Sequence, residues 1–103
     1  MRWQRLQDRI AEWSSKQFPH QTPHSKITHL RSELDELDEN PTDLMEFADC
    51  FMLLIDTARL SGYPMDEIYR AVDTKLALNK LRKWGEPDEH GVSYHIKGEA
   101  NDR

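Results

Sequence analysis

Glu33 and Glu36 stand three residues apart, as do Glu46 and Asp49, and each pair lies beside an apolar helical stripe. With about 100° between successive side chains, an i,i+3 pair shares one face of a helix. The second pair leads into CFMLLI, the longest apolar run of the chain, where an ionised carboxylate without a partner is costly. Positive charge is therefore required nearby. Two such pairs on adjacent antiparallel helices would gather four carboxylates around one point, and hard oxygen ligands of this kind suit Mg²⁺ or Mn²⁺, with positions left for water and phosphate oxygens. The plainer alternative makes Glu33 and Glu36 solvated charges and pairs Glu46 and Asp49 with Lys or Arg on a neighbouring helix. Two pairs on consecutive helices favour the metal. Leu53 and Asp56 continue the Glu46 and Asp49 seam, with Asp56 as an outer group. A ferritin-like di-iron site expects Glu-x-x-His pairs on two helices, and no helix here carries one.

Lys75, Asn79 and Arg82 form a second constellation at i, i+4 and i+7, extending a stripe begun by Ile68, Ala71 and Val72. Lys offers a point charge, Arg a fork of donors for phosphate oxygens, and Asn a group that orients water or phosphate. On spacing alone, Lys75 and Arg82 serve equally well as ion-pair partners of the acidic seam.

Four helices are needed to position these groups. Trp3, Leu6, Ile10 and Trp13 recur at spacings of three and four, predicting an amphipathic helix that ends near Gln17. Thr22 is suited to cap a second helix with Pro23 at its first position, running from about His24 to Glu39 on the stripe Ile27, Leu30, Leu34 and Leu37. Asn40-Pro41 predicts the start of a third by the same cap, with Asp43 favouring the helix dipole. From Leu44 to Leu60 that helix is apolar on nearly every side and reads as the central buried one, stopped by Gly62. A fourth spans about Met65 to Lys83. Short connections favour antiparallel neighbours, so the expected fold is an all-α four-helix bundle. No segment reads convincingly as a strand.

Composition narrows the function classes. The chain has 103 residues, 37% hydrophobic content and no linker-like tract, which reads as one domain over 1–103, with a helical core of about 2–84 and a polar tail of about 85–103. So small a core leans toward self-association. A formal net charge of -5 argues against a nucleic-acid backbone as the main partner. The single cysteine, Cys50, excludes an intramolecular disulfide and fits a reducing cytoplasm. The start MRWQRLQDRIAEW lacks the apolar stretch of a secretory signal, and CFMLLI is too short to cross a bilayer, so no membrane association is expected.

The ordered set SELDE, then EFAD, resembles the ExxE…ExxD signature of the MazG-like all-α nucleoside triphosphate pyrophosphohydrolases. More narrowly, HLRSELDEL, EFADCFMLLIDTARLSGYPMDEI and KLALNKLRKWGEPDEHGVSYHIK resemble the dATP/dGTP diphosphohydrolase (MazZ-type) branch, and the likeness extends from about Trp13 to Lys97. It implies hydrolysis of a purine deoxynucleoside triphosphate between its α and β phosphates. By position, it makes Glu33, Glu36, Glu46 and Asp49 the metal-binding carboxylates and Lys75, Asn79 and Arg82 the phosphate contacts. Catalysis then involves Glu33 or Glu36 as proton acceptor and Lys75, with Arg82, as stabiliser of the departing pyrophosphate. Two features depart from the superfamily pattern: Ser32 stands where many members carry a further Glu, and the interval from Glu36 to Glu46 is short.

Base recognition has several candidates. Trp13 and Phe18 precede the acidic helix and are placed to stack on a purine, although core aromatics at helical spacing more often only pack. His29 shares the arc of the ligands and is placed for metal, sugar or base. Trp84 and His95 would close over a site in the same or a neighbouring subunit, consistent with the homodimer or homotetramer that the resemblance implies. The reading is thus a Mg²⁺- or Mn²⁺-dependent dNTP pyrophosphohydrolase acting in the cytoplasm of a bacterium or phage-infected cell. Its rivals are a non-catalytic acidic bundle that binds a basic protein and an enzyme of the same fold releasing phosphate stepwise.

Overall fold

A computed structural model describes residues 1–97 and contains four helices: α1 (Arg2–Gln17), α2 (Pro23–Glu39), α3 (Leu44–Leu60) and α4 (Met65–Leu81). The expected all-α class is observed, with no strand among the described residues. The chain divides into two compact units, Met1–Ile68 and Tyr69–Arg103.

Local signals set the helix ends in the first unit. Thr22 and Ser25 form a reciprocal capping box at the start of α2, each side chain accepting the other's backbone N–H, with Pro23 at the first helical position. The expectation for α3 requires correction. Asn40 closes α2 instead of opening α3, its backbone N–H bonding to the carbonyls of Glu36 and Leu37, and Asp43 is the cap, accepting from Met45 N at 2.9 Å. Pro41 and Thr42 are consumed in the turn between them. At the other end of α3, Gly62 adopts φ 92°, so that Gly62 N bonds to Arg59 O and Tyr63 N to Ala58 O. This Schellman arrangement satisfies the terminal carbonyls and needs a residue tolerant of left-handed backbone.

α2 and α1 both pack on α3. The buried apolar side chains are few: Ile10, Cys50 and Ile55. The stripe expected on α1 is rotated, because Trp3 and Trp13 are about half exposed while Gln7, Ile10 and Ser14 are buried. Polar tethers explain the rotation. Gln7 Nε2 donates to the backbone oxygens of Ile55 at 3.3 Å and Tyr63 at 3.1 Å, and Gln4 Oε1 accepts from Met65 N at 2.8 Å. α3 is likewise less buried than its composition suggests, with Leu44, Phe47, Phe51 and Leu54 exposed. Its sequence is apolar all round, but α1 and α2 cover only part of its circumference.

In the second unit, no residue of α4 is buried, and the described part of the expected polar tail, up to residue 97, makes backbone hydrogen bonds of its own. Gly85 N bonds to Tyr94 O, Ile96 N to Lys83 O and Asp88 N to Val92 O, folding the chain back on itself through Gly91, with an antiparallel bridge between Trp84 and His95. Asp88 Oδ1 holds that turn by accepting from the backbone N–H groups of His90 and Val92. Among the described residues, no helix is long and apolar enough to cross a membrane.

Candidate metal and nucleotide site

The α2–α3 pairing has a register that follows from antiparallel packing: moving up one helix moves down the other. Lys26 therefore meets Asp56, Glu33 meets Asp49, and the Glu36 charge acts on Glu46. Spacing placed all of these side chains but Lys26 on their helix faces, and the register brings the faces together.

Ligand oxygens of Glu33, Glu46 and Asp49 lie within 4.8 Å of one another, close enough for one cation to touch all three. One oxygen of Glu33, Oε2, and one of Glu46, Oε2, are buried without a hydrogen-bond partner, while Asp49 is exposed. Native structures seldom leave buried carboxylate oxygens unpaired, so these two oxygens fit the ligand set of a cation. Glu36 is exposed, and it is not in the three-residue cluster. It remains electrostatically tied to that group: the neighbouring Glu33 carboxylate raises its pKa by hydrogen bonding and by charge, burial adds to the rise, and His29 opposes it. Burial raises the pKa of Glu46, reinforced by the charges of Glu36, Asp43, Asp49 and Glu39. The Cys50 thiol is pushed up by its burial and by the same carboxylates, which keeps it protonated and inert.

Other expected site residues gather around the cluster. His29 Nε2 lies 3.2 Å from Glu33 Oε1, leaving Glu33 Oε2 for a ligand. Trp13, Phe18 and His29 line, with Glu33 and Asp49, a cavity of about 160 Å³. The Trp13 and Phe18 rings meet edge to face at 5.5 Å, and both are substantially exposed.

The second unit assembles its own polar group. Arg82 Nη1 donates to Asn79 Oδ1 at 3.1 Å, and Trp84 Nε1 donates to Asn79 O at 3.0 Å. The Trp84 ring stands 6.0 Å from that of His95. Lys75 lies one turn before Asn79 on the same helix.

Sequence reasoning missed one feature of the first unit. Asp56, read as an outer group on the acidic seam, is the centre of a buried network: Arg59 Nε donates to Oδ1 at 2.7 Å, and Ser14 Oγ at 2.6 Å and Lys26 Nζ at 3.2 Å donate to Oδ2. Burial pushes its pKa up, but the hydrogen bonds from Arg59, Ser14 and Lys26 and the Arg59 charge outweigh that and hold it below the usual value. The signal was present in the seven-residue interval from Lys26 to Glu33, which matches that from Asp49 to Asp56.

A helical fold whose central antiparallel pair converges carboxylates with unpaired oxygens has the form of an all-α protein with a candidate metal site. The chain belongs to the dATP/dGTP pyrophosphohydrolase family, which matches residues 6–102. It is similar to a dATP/dGTP diphosphohydrolase of Cyanophage S-2L, 37% identical over 95 residues that cover 90% of this chain and 87% of that protein. A dATP/dGTP diphosphohydrolase of Salmonella phage PMBT28 is 38% identical over 92 residues, 88% of this chain. The chain spans only 30% of the length of that relative. Among solved structures, it resembles the Cyanophage S-2L MazG-like pyrophosphohydrolase bound to dGDP and three catalytic Mn²⁺ ions per active site. The TM-score is 0.77 at 33% identity, covering 90% of this chain and 95% of that one.

Proposed function

We propose that the protein hydrolyses purine deoxynucleoside triphosphates, dATP or dGTP, to the monophosphate and pyrophosphate with Mg²⁺ or Mn²⁺. The observation that carries this reading is the convergence of Glu33, Glu46 and Asp49, with two buried oxygens unpaired, in a chain of this family. The solved relative with dGDP and Mn²⁺ supports it.

Glu33, Glu46 and Asp49 hold the metal, with Glu36 as the fourth ligand at the rim. Bound divalent ions supply neutralisation of the triphosphate and Lewis acidity at the α-phosphorus. The chain supplies the rest. Glu33 or Glu36 takes the proton of the attacking water, and in Glu36 the neighbouring Glu33 raises the proton affinity in the direction that role needs. His29, through its contact with Glu33 Oε1, orients that carboxylate. Trp13 and Phe18 give the purine an apolar wall. Lys75, Asn79 and Arg82 are assigned to the phosphates on their chemistry and their match to the family motif, with Lys75 and Arg82 stabilising the leaving pyrophosphate. Trp84 and His95 are assigned to the substrate on the family resemblance alone.

The exposed apolar side chains of α3, Leu44, Phe47, Phe51 and Leu54, support assembly into a homodimer or homotetramer. The phage relatives support the cytoplasm of an infected bacterial cell as the setting, with the whole chain forming one functional domain. The experiment is direct: incubate the protein with each dNTP and either metal, then separate the products. Pyrophosphate with a monophosphate is expected. Stepwise phosphate release would support the related phosphatase reading, and intact triphosphates under both metals would leave the acidic bundle as a protein-binding module.

A further inference from the structure

The cavity beside the carboxylates has a second end. Glu33 and Asp49 border one side of it, and Lys26 and Asp56 border it seven residues further along the same two helices, about 10 Å at 1.5 Å per residue. Trp13, Phe18 and Met52 line the space between, all three partly exposed. A nucleotide with its phosphate at the carboxylates would extend its base along this apolar slot and present the far edge of the base to Lys26.

Lys26 is an unusual residue to find there. It is the one buried residue of α2, and its side chain is 8% exposed. Lysine is among the residues least often buried, and a buried ion pair adds little stability over well-packed apolar groups. Asp56 does not require it, because Arg59 already supplies a charge-matched donor at 2.7 Å and Ser14 a hydroxyl at 2.6 Å. Two cations on one carboxylate leave surplus positive charge at this end of the cavity.

The donors and acceptors are equally unbalanced. Three donors converge on the Asp56 carboxylate, one on Oδ1 and two on Oδ2, and the Ser14 hydroxyl among them also lies 2.6 Å from Gln21 Oε1. The ammonium has three N–H groups, two directed at Ser14 Oγ (3.1 Å) and Asp56 Oδ2 (3.2 Å), and the third has no oxygen acceptor among the described residues. The face of Phe18 lies 4.5 Å from Nζ and shields it from water. This end of the slot is therefore richer in charged donors than in acceptors. Guanine presents acceptors at O6 and N7, whereas adenine places an amino donor at position 6.

We infer that Lys26, held by Asp56 and Ser14 at the end of this slot, donates to the 6-oxo group of the base and makes the protein prefer guanine over adenine deoxynucleotides. This rests on the proposed function, which supplies the phosphate anchor. A charge-assisted hydrogen bond lost in a dry site corresponds to about 10- to 100-fold in affinity or kcat/KM.

The test uses the unaltered protein and four triphosphates: dGTP, dITP (6-oxo, no 2-amino group), dATP, and the 2-aminopurine deoxynucleotide (2-amino, no 6-oxo group). The expected kcat/KM for dITP is near that for dGTP, with dATP and the 2-aminopurine nucleotide lower by about tenfold or more. Activity that follows the 2-amino group, or equal activity on all four, overturns the assignment. Lys26→Met should collapse the ratio of dGTP to dATP activity, and Lys26→Arg should retain it. Calorimetric binding of dGMP, dIMP and dAMP separates this inference from the broader one. If no triphosphate is hydrolysed, the enzymatic reading fails, yet tighter binding of dGMP and dIMP than dAMP still upholds Lys26; equal or undetectable binding of all three removes it.

Discussion

The two ends of the α2–α3 pair obey the same register and reach opposite electrostatic outcomes. At one end Asp56 is matched by Arg59, Lys26 and Ser14, and every oxygen of its carboxylate has a donor. At the other, Glu33, Glu46 and Asp49 converge with Glu36 beside them, and two buried oxygens have none. One end is balanced by the chain's own donors and the other is arranged as a group that could hold a cation. A buried carboxylate is thus not in itself a sign of function; the informative feature is whether the fold has already supplied its counter-charge.

The sharpest way to break this contrast is to remove one charge from the incomplete end. Asp49→Asn should lower turnover at least about 100-fold, more than loss of an outer partner of a metal site usually costs, with the helical circular dichroism retained. Full activity in that variant would remove the ligand assignment.

At the complete end the same kind of change should act on stability. Asp56→Ala leaves the Lys26 and Arg59 cations facing each other across an apolar site and should cost about 3 kcal/mol in urea denaturation. A loss below half that would mean that the network is solvated and contributes little.

Metal addition should separate the ends further. Mn²⁺ at 100 times its dissociation constant should stabilise the fold by about 2.7 kcal/mol, read as a rise in Tm. Glu46→Gln should raise the Tm of the metal-free protein by relieving like-charge repulsion while shrinking the Mn²⁺-dependent rise. If both values fell, the Glu46 carboxylate would be a structural partner and not a ligand.

The smallest effect expected is in the pH dependence, where the two ends have opposite signs. The folded pKa of Asp56 lies below its ordinary value of 3.8, so its contribution is present above that value and is lost as pH falls through the lower, folded one. Glu36 and Glu46 have folded pKa values above 4.5, so their protonated forms favour folding below that value, and this advantage is lost as pH rises through the raised values. Metal-free protein should therefore lose stability as pH climbs above about 4.5 and also when it drops below about 4. Saturating Mn²⁺ should abolish the upper loss alone. Denaturation midpoints across this range, with chelator and with Mn²⁺, measure both.

Particular residues show what could be read in advance. Thr22, Pro23 and Gly62 marked helix ends through local backbone chemistry, which acts within a turn and so is written in neighbouring positions. Asn40-Pro41 misled because Asn and Pro are suited to either end of a helix junction, and Asp43 took the cap. The apolar stripe of α1 was misplaced because Gln4 and Gln7 find backbone partners in α3 and just beyond its end, 48 to 61 residues away, and no helical period encodes such partners.

The sequence by itself determined the four helices, the family and the faces on which Glu33, Glu36, Glu46 and Asp49 stand, because capping and period are properties of adjacent residues. Only the tertiary structure decided which charges meet. Glu33, Glu46 and Asp49 look no different in type from Asp56, and whether a carboxylate is left for a cation or closed by Lys26 and Arg59 depends on the register of α2 against α3. Coulomb interactions fall off with distance in space and not along the chain, so the same kind of carboxylate becomes a candidate ligand at one end and a structural anchor at the other.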